Sequence, residues 1–109
     1  MLAELFGSKT TEKCLILIAA IGESYALEIA NTFEISKTQV IRTLMKLEQA
    51  DILLGKNKGR TRIYILNKSW FLAKELNALL QKAILNMPLD QQEKYFMKRM
   101  RPRKKNKVV

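Results

Sequence analysis

Two apolar repeats of helical period meet at residues 34–36, "EIS", and this short break limits the fold more than any other stretch of the chain. Before it, Ala26, Ile29, Ala30 and Phe33 recur at spacings of three and four, which buries one face of a helix over about 25–33. After it, Ser36 is followed at the third position by Gln39, a capping box that opens a second helix. Val40, Leu44 and Leu47 continue the inward stripe to about Ala50. Two helices joined by so few residues predict a helix-turn-helix.

The next residues narrow the choice. "ILLGKN" and "RTRIYIL" are rich in β-branched, aromatic or large apolar residues, and Lys58-Gly59 lies between them. Glycine takes the positive φ that a tight turn needs, so residues 52–66 read as a β-hairpin. A two-residue and a three-residue loop both fit, and they place different residues inward. Lys56, Lys58, Arg60 and Arg62 crowd its tip without an acid among them. A hairpin directly after a helix-turn-helix is a wing, and the fold class expected is mainly α with a small β-hairpin: a winged helix-turn-helix with C-terminal helices and a basic tail.

Around this unit the pattern is helical. "LAELF" is a short amphipathic piece ended by Gly7-Ser8, and Thr10 makes an N-cap for a helix carrying Leu15, Ile18 and Ile21, widened by Leu17 and ended by Gly22. Residues 70–86 form the longest helical pattern. Leu72, Leu76, Leu79 and Ala83 make one seam there, while Phe71, Leu80, Ile84 and Leu85 add further apolar surface. So small a domain has little core for so much of it, so the seam is expected to meet a second copy; the plainer reading is that it covers its own domain. These elements place the winged domain at 1–87. Asp90 and Glu93 suggest another capping box for a C-terminal helix over 88–101, and 102–109 reads as a disordered basic tail.

Composition sorts the function classes. A chain of 109 residues with 48% hydrophobic content is one folded domain. Its net charge is +10, and eight cations follow Glu93 with no acid among them, leaving +2 on residues 1–93. A polycationic end favours a polyanion, meaning nucleic acid or an anionic membrane. Few apolar residues flank the tail, which favours nucleic acid. The longest apolar run, "CLILIAAI", is far short of the roughly 20 residues of a membrane span, and no secretory signal is visible, so a cytoplasmic location is expected. The chain has no histidine and one cysteine, Cys14, which reads as a buried hydrophobe. A Cys/His zinc site cannot be assembled, the scattered acids form no pair, and no phosphate loop is present. Neither an enzyme nor a cofactor is expected.

The cations then carry the reading. With Val40, Leu44 and Leu47 inward, the open side of the second helix holds Lys37, Thr38, Gln39, Arg42, Thr43 and Lys46. Gln pairs bidentately with adenine, Arg with guanine, and Thr meets a thymine methyl, so Lys37, Thr38, Gln39, Arg42 and Thr43 are the candidate base readers. An ordinary solvated helix face carries the same residue types. Ser36, Lys46, Lys56, Lys58, Arg60 and Arg62 are the candidate phosphate contacts. Arg99, Arg101, Arg103, Lys104, Lys105 and Lys107 in the tail would add affinity without sequence information.

The stretch "YALEIANTFEISKTQVIRTLMKLEQADILLGKNKGRTRIYIL" resembles the winged helix-turn-helix transcription regulators of the ArsR/MarR-like kind, through "EIA", "ISKTQV", "LMKLEQADIL" and "GRTRIYIL" in that order. The resemblance implies that Ser36 to Ala50 reads double-stranded DNA and that the helix at 70–86 builds a homodimer. Ile41 and Thr43 stand where the family often has Ser and His, and Asp51 where Gly commonly ends the helix. The metal-sensing cysteines and histidines of classical members are absent, so no metal is expected. Sequence-specific DNA-binding regulation is the function these residues favour; a non-specific architectural DNA- or RNA-binding protein and a winged-helix protein adapter are the alternatives.

Overall fold

The computed structural model describes residues 1–97. It opens with one helical turn, α1 (Ala3–Phe6), followed by α2 (Lys9–Ile21). Ser8, not Thr10, caps α2: its backbone is extended at φ −164°, and its hydroxyl accepts a hydrogen bond from the Thr11 amide at 3.2 Å. Both residues can cap, and the left-handed Gly7 (φ 74°) turns the chain one residue before Ser8.

α2 is the hub of the molecule. Cys14 to Ile18 are five consecutive buried residues, more than one helix face supplies. They are buried all round because α1, α3 (Ala26–Phe33), α4 (Lys37–Gln49), α5 (Ala73–Asn86), the second hairpin strand and the C-terminal turn pack on this helix. Cys14 is buried as expected, but the expected stripe is incomplete: Ile16 joins the core, and Ile21 is only half-buried.

The helix-turn-helix is α3 and α4. Glu34 leaves α3 in the left-handed region at φ 55°, the Ile35 amide returns to the Ala30 carbonyl at 3.0 Å, and Ser36 caps α4 through the Gln39 amide at 3.3 Å. Val40, Leu44 and Leu47 are buried, which sets the rotation of α4. Asp51, at φ 65°, takes the left-handed step that lets the chain leave the helix, and the Ile52 amide closes the turn on the Leu47 carbonyl at 3.0 Å.

The hairpin pairs β1 (Leu53–Lys58) with β2 (Thr61–Leu66), antiparallel, with Lys58 opposite Thr61. The loop is Gly59-Arg60, one residue later than the Lys58-Gly59 pair. Gly59 has φ 64° and Arg60 is not in the positive region, the pattern of a type II′ turn. Leu53 and Tyr64 point into the core. A third chain segment joins this sheet at one residue: the Ser24 and Tyr64 backbones exchange hydrogen bonds at 3.1 and 2.8 Å, and the fully buried Ser24 hydroxyl donates to Glu28 Oε1 at 2.7 Å. The wing is thereby tied to the start of α3.

α5 begins after a turn that holds Trp70 and Phe71, so the expected 70–86 helix is shorter at its start. α6 (Leu89–Gln92) is capped by Pro88 without a side-chain hydrogen bond, not by an Asp90–Glu93 box, and passes into a π-helical turn, Glu93–Met97. That turn buries Phe96 and stacks Tyr95 on Phe33, ring centroids 4.9 Å apart. The molecule is mainly helical with a two-stranded antiparallel hairpin, a winged helix-turn-helix. The remainder of the 88–101 helix and the tail cations from Arg99 to Lys107 lie outside the described residues.

Candidate nucleic-acid interface

The buried stripe of α4 decides what its other sides present. Ser36, Lys37, Thr38, Gln39, Arg42 and Lys46 are exposed, and Thr43 is half-buried. They do not form one uniform face. Lys37 borders a groove between α4 and the wing, lined also by Tyr25, Ile41, Met45 and Arg60. Gln39, Arg42, Thr43 and Lys46 border a shallower cleft on the other flank, shared with Ser8 and Thr10 at the start of α2. The second cleft thus brings two further hydroxyls beside the helix, from so far back in the chain that no spacing rule points to them.

Sequence reasoning also passed over apolar surface. Ile41 and Met45 on α4 and Leu27 on α3 are exposed to 41%, 51% and 46%. The available signal was the four-residue spacing of Ile41 and Met45, a second apolar stripe beside that of Val40 and Leu44.

At the wing, Lys56, Lys58 and Arg60 are exposed and unobstructed by any acid of the hairpin. Arg62 is placed differently. Its Nε donates to Glu48 Oε1 at 3.4 Å, its Nη2 forms a short ion pair with Glu48 Oε2, and its Nη1 donates to Asn57 Oδ1 at 2.9 Å. The guanidinium also lies 5.8 Å from the centre of the Tyr64 ring. The hydrogen bonds that Arg62 donates to the Glu48 carboxylate hold its pKa above the ordinary value, and burial raises that of the Tyr64 hydroxyl. One side chain thereby bridges the last turn of α4 to both strands of the wing. Glu48 is the only acid within α4 and the two strands, so this pairing also neutralises the one negative charge those elements carry.

The seam on α5 divides. Ala83 is buried in the chain's own core and Leu76 packs against it, while Leu72 and Leu79 are exposed, as are Phe71, Leu85 and Leu89. Among the described residues no group of three His, Cys, Asp or Glu side chains is placed to hold a metal ion, and no helix is long and apolar enough to cross a membrane.

No protein-family model and no curated protein matches the chain. Among solved structures, the adhesin competence repressor AdcR of Streptococcus pyogenes superposes with a TM-score of 0.58 at 20% identity, over 98% of this chain and 86% of that one. A mutant of Lactococcus lactis ZitR in apo form gives 0.56 at 20% identity, over 96% of this chain and 83% of that one. Another ZitR mutant gives 0.55 at 19%, over 93% and 70%. The chain therefore shares a winged helix-turn-helix fold with AdcR and ZitR, at low sequence identity.

Proposed function

We propose that the chain is a sequence-specific double-stranded-DNA-binding transcriptional regulator that acts as a homodimer. The observation that carries this reading is the joined surface of α4 and the wing, where Lys37, Arg42, Lys46, Lys56, Lys58 and Arg60 are exposed and the single acid is held by Arg62. A helix of the width of α4 fits the major groove, and the hairpin then lies along the sugar–phosphate backbone or in the minor groove. Base contacts are assigned to Lys37 from the wing side of α4, to Gln39, Arg42 and Thr43 from its other flank, and to Thr38. Ser36, Lys46, Lys56, Lys58 and Arg60 neutralise or hydrogen-bond phosphates, and the cations from Arg99 to Lys107 add counterion release without sequence information. Arg62 is assigned to bracing the wing.

The fold shared with AdcR, a protein named as a repressor, supports the regulatory reading. The dimer contact is assigned to the exposed apolar residues of α5 and α6, Leu72, Leu79, Leu85 and Leu89, since Ala83 is covered by its own chain. The test is binding of the full chain to DNA from upstream of its own gene, at near-physiological salt, with excess unrelated duplex. Retained binding supports a sequence-reading regulator. Complete loss to the competitor, there and at every other genomic site tried, replaces it with an architectural protein.

A further inference from the structure

The exposed apolar strip inside the cationic surface calls for a ligand of its own. Ile41 and Met45 stand one helical turn apart, so their side chains follow one another along the same edge of α4. With Leu27 they line a groove of about 520 Å³ between α4 and the wing. Its rim carries Lys37 and Arg60, and Arg42 and Lys46 each adjoin one of the two apolar residues in sequence. Glu48, the acid of this groove, is paired with Arg62. The surroundings thus fit a polyanion, but apolar side chains gain nothing from phosphate. Base edges in the major groove offer one apolar group, the C5 methyl of thymine.

We propose that Ile41 and Met45 are specificity-determining residues that pack on thymine methyl groups, so that the preferred duplex holds thymine where this edge of α4 enters the groove. The assignment rests on the DNA-binding reading above and adds to it the base that is read and the residues that read it. It departs from the polar set of base readers, in which Thr38 or Thr43 would meet the methyl.

The full chain is used to select duplexes from a random-sequence library at near-physiological salt. The preferred duplex is then remade with deoxyuridine for each thymine, which keeps base pairing and removes only the methyl. Affinity is expected to fall about fourfold for each contacted methyl, from the transfer free energy of one such group. In Ile41→Gln/Met45→Gln the two duplexes are expected to bind alike. Met45→Gln alone, at the more exposed position, should lose part of the difference and keeps the test readable should the double variant fold poorly. Equal binding of both duplexes by the natural chain overturns the assignment, as does a deoxyuridine penalty that the variants retain in full. A library that yields no preferred duplex overturns sequence reading itself, and the assignment with it.

Discussion

The Arg62 guanidinium occupies the space above Gly55 where any other residue would carry its Cβ, which would lie 2.7 Å from Nε and 2.8 Å from Nη2. The intruded atoms are the far end of a flexible side chain, so Gly55→Ala should displace Arg62 from Glu48 rather than unfold the domain. We expect its thermal midpoint to stay close to that of the natural chain while specific DNA affinity falls several-fold. In an Arg62→Ala background the same substitution should have no further effect on affinity. Additive losses in that double-mutant cycle would show that Gly55 acts by another route.

The wing cations divide by partner. Lys58→Ala and Arg60→Ala should each lower the slope of log affinity against log salt by about 0.9, the value for one phosphate contact. Arg62→Ala should leave the slope nearly unchanged, because its charge already answers Glu48. A full unit lost with Arg62 would return that residue to the phosphate set.

Leu85 and Leu89 are 77% and 76% exposed, whereas Ala83 on the same helix as Leu85 is only 7% exposed. Leu85→Glu should convert a sedimenting dimer to monomer with the fold retained. Ala83→Leu should instead overpack the core and cost about 1–3 kcal/mol of folding stability. A natural chain that sediments as a monomer at tens of micromolar would remove the dimer assignment.

Burial pushes the Cys14 thiol from its ordinary 9.0 up to about 12. The unfolded chain therefore releases this proton near pH 9 while the folded chain keeps it, so this contribution to stability is complete below pH 9 and is lost as pH rises toward 12. The group alone supplies a fall of up to about 1.4 kcal/mol per pH unit in that window. Tyr64, raised by burial from 10.0, acts with the same sign at higher pH. Urea unfolding between pH 9 and 10 should show a flatter decline in Cys14→Ala than in the natural chain. At pH 8, thiol reagents should label Cys14 only after denaturation; rapid labelling of the native chain would contradict its burial.

The helix-turn-helix is legible in the sequence because its signals are local: a 3.6-residue apolar period, a serine at the cap, a three-residue break. Gly59 marks the wing for the same reason. The Ser24–Tyr64 pairing leaves no trace, since one bridging residue has no period. Glu48 and Arg62 are fourteen residues apart in sequence, and only the crossing of α4 with β2 brings them together, so Arg62 reads as one more phosphate contact of the wing and nothing singles out Glu48. Ala83 shows a subtler limit. Its position in the Leu72, Leu76, Leu79 stripe is correctly periodic, but periodicity does not say whether the helix's own domain or a second copy covers that edge.

The burial of α2 on every side has a consequence for how the molecule opens. No neighbour can swing away without uncovering some of Cys14 to Ile18, so the α2 amides should exchange with solvent only when the whole domain unfolds, while those at the wing tip exchange through local fraying. The parts that would touch DNA are thus peripheral to the part that holds the fold together. Over evolutionary time the outward residues of α4 and the wing are free to drift toward new binding sites, while a change within the α2 segment puts the whole domain at risk.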